Sequence, residues 1–394
     1  MKMFCGWSNV QKNKLQIATT NIDGIDYFRI CNMNPSLKDH IDQFWQKFMD
    51  QFEEAKLKFE EYVEITVKNI LSIGERCQTE KELRSLIRSG KRIIAYNGFE
   101  PSGRVHIAQA VITVLNANLL MENGCDMIIY IGEHFAKLNH KLGCDMNKIK
   151  VAGEYLIHVL LSLGISKERL QFVKSSDLMF KDPNYWERVL DISARTKDSR
   201  AKTCSQIMGI DNSSLFVSNY LYPCMQVADV FEMDVDIAQL GSDQSLANDL
   251  AREYANLYPR LPGNDNRKTI KKPIALEHHV VIGLEGPNKG KMSKTNKFSA
   301  VFVDDSEDVV LNNMNAYCHE TETKDNPIFE YIKYIILPWC QQMKKQPIII
   351  ENKEYNDIDE IESNFKNFDK NKLKQKVAHY FNQILIPVRK HAIH

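Results

Sequence analysis

The chain has 394 residues, and 51 Lys plus Arg balance 51 Asp plus Glu, so its net charge is zero. That balance excludes a uniformly basic nucleic-acid coat; any RNA surface has to be a local patch. Nine cysteines with no C-x-x-C pair or zinc spacing read as reduced thiols of a cytosolic protein, and neither a signal peptide nor a membrane span is expected, because the best apolar run, Tyr331 to Cys340, is interrupted by Lys333 and Pro338.

The length predicts two or three domains. Residues 1–61 read as an N-terminal extension. It holds short strand-like pieces at Leu15–Ala18 and Tyr27–Ile30, then a long helix from about Ser36. Along that helix Ile41, Phe44, Phe48, Phe52, Ala55 and Phe59 recur at spacings of three and four, one apolar stripe that has to pack on the core or on a partner subunit. Helices over Val63–Ile73 and Glu80–Arg88 lead to an apolar triplet, Ile93 to Ala95, which reads as a buried strand.

The stretch Tyr96 to Gln109 follows (YNGFEPSGRVHIAQ), and from Ile107 apolar residues return with helical period until Asn123-Gly124 stops them. Cys125 to Gly132 is again strand-like. Strand, glycine turn, helix and strand make a parallel βαβ unit, whose turn lies where such sheets bind ligands. Gly98 and Gly103 let backbone N–H groups approach an anion, and the helix N-terminus favours a phosphate there. His106 and Gln109, three residues apart, place two donors on one face of that terminus.

Gln171–Lys174 is a short strand, and Asp182-Pro183 start a helix running to about Lys197. A second informative helix is expected to begin at Pro223, with Tyr222, Gln226 and Asp229 sharing one face among Cys, Met, Val and Ala. Such a polar stripe needs buried partners, either core hydrogen bonds or a small polar ligand. Val235–Leu240 then reads as a buried strand, and Gly241-Ser-Asp243-Gln244 turns into a helix, repeating the first unit's design. Further on, Lys291, Met292, Ser293 and Lys294 lie in a glycine-flanked loop. Asp305-Ser306 cap a helix through Asn312, and Tyr331–Trp339, Ile358–Phe365 and Leu373–Leu385 make the remainder mainly helical.

Tyr96–Gln109 resembles the HIGH signature of class I aminoacyl-tRNA synthetases, with His106 as the first histidine, Ala108 for the glycine and Gln109 for the second histidine; Gly290–Thr295 resembles KMSKS with Thr295 for the final serine. With Gly-Phe-Glu-Pro-Ser-Gly before His106, the chain is similar to tyrosyl-tRNA synthetases of the eukaryotic and archaeal cytosolic type. The resemblance implies an α/β fold, a Rossmann-like parallel-sheet catalytic domain (62–302, with a connective and dimer region at about 165–210) and a helical anticodon-binding domain (303–394). It implies activation of L-tyrosine with ATP and transfer to tRNA(Tyr) by a cytoplasmic homodimer, with Mg2+ carried on ATP and no metal held by the protein. His106, Gln109, Lys291 and Lys294 would be catalytic. Tyr96 and Asp229 would hold the phenol, and Tyr222, Gln226 and Gln244 the α-amino group. ATP would meet Gly98, Glu100, Ser102, Gly103, His106, Gln109, Gly241, Asp243, Lys291, Met292, Ser293 and Lys294. Lys372, Lys374 and Arg389 would contact tRNA, with Lys372 where relatives carry an aspartate for the anticodon; basic Arg195, Lys197, Arg200 and Lys202 suit its acceptor end. A tryptophanyl synthetase, a synthetase-like RNA-binding protein without catalysis and a small-molecule nucleotidylyltransferase are the competing readings. Tyr96 with Asp229 favours a phenol over an indole, which offers a donor only.

Overall fold

The computed structural model describes residues 16–22, 25–31, 35–205, 215–257, 270–286, 292, 299–314, 318–319 and 321–390. The chain divides into two compact units, Met1–Val63 and Glu64–His394.

In the first unit β1 (Gln16–Ile22) pairs antiparallel with β2 (Ile25–Cys31), matching Ile22 with Ile25 across the turn. The helix α1 (Pro35–Leu71) follows and continues into the second unit. Sequence periodicity divides this helix near Tyr62. The structure runs through, because no Gly or Pro interrupts the chain between Pro35 and Leu71.

The second unit is built on β3 (Arg76–Gln78), α2 (Glu80–Arg88), β4 (Ile93–Phe99), α3 (Ile107–Glu122), β5 (Cys125–Ile131), α4 (Glu133–Leu138), α5 (Met146–Ser162) and β6 (Leu170–Lys174). Then come α6 (Ser175–Lys181), α7 (Asn184–Arg195), α8 (Asp198–Ser205), α9 (Val217–Glu232), β7 (Ile237–Gly241), α10 (Ser245–Leu257) and β8 (Ile274–His278). The six-stranded sheet has the order β3-β8-β7-β4-β5-β6, parallel except for edge strand β3. Since β4 is flanked by β5 on one side and β7 on the other, the strand order reverses there, and a crevice opens at the carboxyl ends of β4 and β7.

Local chemistry fixes the ends of these elements. Thr79 and Glu82 form a reciprocal capping box on α2, with Glu82 N–H donating to Thr79 Oγ1 at 3.2 Å and Thr79 N–H to Glu82 Oε2 at 3.1 Å. After α3, Gly124 adopts φ +86°, which a side chain would oppose. Helix α9 begins at Val217, so Pro223 lies inside it rather than at its start. The N-terminal signal is instead Asn219, whose Oδ1 accepts from Phe216 N–H at 2.7 Å. Tyr222, Gln226 and Asp229 still share one helical face.

The chain ends in α11 (Glu307–Asn313), capped by Ser306, then α12 (Pro327–Tyr331), α13 (Leu337–Trp339), α14 (Ile358–Asn364) and α15 (Lys370–Lys390), with a small hairpin of β9 (Ile348–Ile350) and β10 (Lys353–Tyr355). Residues on both sides of position 302 belong to the same unit. Tyr331 OH donates to Ile282 O at 3.0 Å, and Arg389 Nε to Asp305 O at 2.9 Å.

Candidate active site

Tyr96, in the middle of β4, is 2% exposed and lies in one apolar cluster with Tyr130, Phe135, Tyr185 and Tyr222. Gly98 makes that packing possible: a Cβ there would come within 3.1 Å of the Tyr96 ring and 3.6 Å of Tyr130. Asp229 reaches the same cluster from α9 and is 1% exposed. Tyr185, from α7, donates its hydroxyl to Asp229 Oδ1 at 2.9 Å. Among the described residues the second oxygen, Oδ2, and the Tyr130 hydroxyl are both buried without a hydrogen-bond partner.

Burial pushes the Asp229 carboxyl well above the usual range, while Tyr130 and Tyr185 draw it back down. The Tyr130 hydroxyl lies close enough to the carboxylate to favour its charged form, although the contact falls short of a hydrogen bond. Burial and then the charge of Asp229 likewise push Tyr96 up, so its hydroxyl keeps its proton and remains a donor.

Further along α9, Tyr222 donates to Glu100 Oε1, and Asn139 Nδ2 donates to both oxygens of Glu100 at 3.1 and 3.0 Å. Gln226 Nε2 donates to Gln244 Oε1 at 3.4 Å, and Gln226 Oε1 is buried with no hydrogen-bond partner among the described residues. The structure therefore brings Tyr96 of β4, Tyr222, Gln226 and Asp229 of α9, and Gln244 after β7 together.

At the end of β7, Gly241 leaves room for the Asp243 carboxylate, since a Cβ would fall 2.6 Å from Asp243 Oδ1. Behind this turn Asn97 Nδ2 donates to Gln239 Oε1 at 3.0 Å, and Gln239 Nε2 lies 2.6 Å from His278 Nδ1. Burial lowers His278 to about 4, so the ring is neutral; its Nδ1 accepts from Gln239, and Nε2 carries the proton.

The other end of the crevice is formed by backbone. Gly103 adopts φ +114° in the turn after β4, and His106 is the N-cap of α3, its Nδ1 accepting from Gln109 N–H at 3.1 Å. That contact leaves Nε2 as the protonated nitrogen of neutral His106. Ile107 N–H donates to Val301 O at 2.8 Å and Val303 N–H to Val105 O at 2.9 Å, so the segment after the lysine loop pairs with the histidine turn. Leu284 N–H also donates to Ser299 O at 2.9 Å, tying the loop's two ends. Met292 is 4% exposed, whereas Lys291, Ser293 and Lys294 lie outside the described residues.

The three expected RNA contacts differ in exposure and partners. Lys372 is exposed at the start of α15, where Asp369 Oδ1 accepts its backbone N–H at 3.1 Å, and Lys374 is half-buried. Arg389 is turned to Asp305 O and Asn382 Oδ1, the latter at 2.8 Å. In the connective region Arg195 pairs with Asp191, Arg200 with Glu253 and Lys202 with Asp198. Sequence reasoning missed Tyr130, Tyr185, Asn139, Asn97, Gln239 and His278, which lie far apart in the chain and carry no spacing signal.

Residues 88–386 match the family of class I tRNA synthetases for tryptophan and tyrosine (W and Y). The chain is 40% identical over 338 residues to cytoplasmic tyrosine–tRNA ligase 1 of Arabidopsis thaliana, a match spanning 84% of this chain and 85% of that protein. The crystal structure of tyrosyl-tRNA synthetase from Aeropyrum pernix superposes with a TM-score of 0.74 at 31% identity, covering 83% of this chain and 94% of that one. A Leishmania major tyrosyl-tRNA synthetase in complex with tyrosinol gives a TM-score of 0.76 at 34% identity, covering 84% of this chain and 57% of that one. With a family match over residues 88–386 and 40% identity to a relative covered over most of its length, the chain belongs to the tyrosyl-tRNA synthetases.

Proposed function

We propose that this chain activates L-tyrosine with ATP and transfers it to tRNA(Tyr) in the cytoplasm, the compartment named for its Arabidopsis relative. In the first step the tyrosine carboxylate attacks the α-phosphorus of ATP, and pyrophosphate leaves. In the second, a ribose hydroxyl at the tRNA 3′ end attacks the acyl carbon, and AMP leaves. No side chain acts as nucleophile; the protein positions reactants and stabilises charge on the phosphates.

The observation that carries this reading is the buried, one-sided carboxylate of Asp229. Its free oxygen, Oδ2, lies in the aromatic cluster of Tyr96, Tyr130 and Tyr185 and suits a phenol O–H, with the Tyr96 hydroxyl as a second partner. Tyr222, Gln226 and Gln244 would take the ammonium group, and Gly241 and Asp243 the ribose. His106, Gln109, Lys291 and Lys294 would meet the phosphates, with Gly98, Glu100, Ser102, Gly103, Met292 and Ser293 lining the ATP site. Magnesium would enter on ATP. Lys372 and Lys374 are the tRNA contacts the geometry favours, with Arg389 acting largely through its bonds to Asp305 and Asn382. A homodimer through the 165–210 region belongs to the same reading, as do three domains, 1–61, 62–302 and 303–394.

Amino-acid-dependent exchange of pyrophosphate into ATP tests the assignment. Tyrosine is expected to support exchange far above phenylalanine or tryptophan. Equal rates with the three would refute it.

A further inference from the structure

We propose that α1 is a self-association arm, its aromatic seam covered by α1 of a second copy of this chain. The seam is distinct from any contact through residues 165–210 and lies before the family match, which begins at residue 88. Trp45, Phe48, Phe52, Ala55, Phe59 and Tyr62 follow one another at spacings of 3, 4, 3, 4 and 3. That strict repeat of 3.5 residues keeps one stripe on one line only if helices supercoil about each other. A helix lying on a globular core instead follows a period of 3.6 and a broader face.

In heptad terms Trp45, Phe52 and Phe59 are the a positions, and Phe48, Ala55 and Tyr62 the d positions. Acidic residues avoid the seam: Asp50, Glu53, Glu54, Glu60 and Glu61 all fall at b, c or f. The seam is open, with Phe44 54%, Phe52 52% and Phe59 40% exposed, and Trp45, Phe48, Met49 and Tyr62 exposed as well. Beyond Tyr62 the open seam ends: Val63, Thr66, Val67 and Ile70 are buried.

Charge and area both favour a second copy as the occupant. The flanking positions hold only two cations between residues 44 and 62, Lys56 and Lys58, and each is tied back to an outer-face glutamate, Glu53 at 3.2 Å and Glu54 at 2.6 Å. In a parallel pair Lys56 meets Gln51 of the other helix, so no like charges face each other across the seam. Seven large side chains with about half their surface open, at roughly 100 Å² each, would bury on the order of 700 Å² per copy, close to the ~800 Å² of a stable interface. Each copy presents the same surface, as a two-fold contact requires.

The test is cross-linking of the full chain with an amine-reactive reagent, read by peptide mass spectrometry. A link from Lys56 to Lys56, or from Lys58 to Lys58, can form only between two copies. These links are expected in the wild type and to fall at least tenfold in the double variant Phe52→Glu, Phe59→Glu. Leu57→Glu puts the same charge on the outer face of the same helix, so a general unfolding of α1 would appear in it too; its yield is expected to stay within twofold of wild type. The proposal is overturned if the wild type gives no such link, if the double variant keeps it, or if Leu57→Glu loses it equally.

Discussion

At the Tyr96 end of the crevice, the polar atoms are buried among side chains held by packing. The His106 end is made of backbone turns paired with the segment around Val301. Tyr185, Tyr130 and Asp229 come from three different elements and are held in one core; under the proposed function that end would discriminate by leaving a wrong ligand's partners unsatisfied. At the other end the His106 ring is held by the helix cap, its Nδ1 accepting from Gln109 N–H, and a backbone hydrogen bond joins Leu284 to Ser299. Under the proposed function the contrast separates recognition, which needs rigidity, from stabilisation of charge on the phosphates.

Removing the buried carboxylate tests that division hardest. Asp229→Ala is expected to lower kcat/KM for tyrosine on the order of 10²-fold or more in the exchange assay, and to shrink the preference over phenylalanine, because no acceptor remains for the phenol proton. An unchanged preference would place recognition elsewhere. At the opposite end, Lys291→Ala is expected to slow adenylate formation on the order of 10²-fold while tyrosine affinity stays within about twofold. Single-turnover kinetics separate the two quantities. A loss shared equally between affinity and rate would erase the division.

The parts legible in the sequence are those where spacing and local chemistry coincide. The βαβ unit from Ile93 to Ile131 and the Gly241–Gln244 turn lie where glycine, apolar period and strand propensity agree. Strand β8 was not legible, because Glu277 interrupts its apolar run. In the structure Glu277 is 1% exposed, and Arg76 and Asn248 satisfy its charge, a compensation visible only after β3 and α10 have packed beside it. Pro223 pointed to a helix start that the side chain of Asn219 sets six residues earlier. Tyr185 carries no signal in the sequence; only the packing of α7 on α9 makes it the partner of Asp229.

Tyr185 is the next lever on the recognition end. Its hydroxyl holds Asp229 Oδ1 and pulls the carboxyl down against burial, so Tyr185→Phe leaves a carboxyl that protonates more readily and turns more freely. KM for tyrosine is expected to rise about tenfold at neutral pH, with kcat nearly unchanged. The increase should widen as pH falls. A KM that moves equally at every pH would mean that Tyr185 only fills space.

The smallest effect is expected at His278, where the core beneath the Gly241–Gln244 turn depends on a neutral ring. Burial lowers its pKa from the ordinary 6.5 to about 4. Between those two values the unfolded chain binds a proton that the native chain refuses, so its contribution is full above about pH 6.5 and declines as pH falls toward 4. His278→Asn can still accept from Gln239 but cannot titrate. Denaturant unfolding followed from pH 7.5 to pH 4.5 should show the wild type losing more stability than the variant over that window. Parallel curves would mean that the ring is already charged in the fold, and that the Asn97–Gln239–His278 chain beneath Asp243 is held by something other than a neutral acceptor.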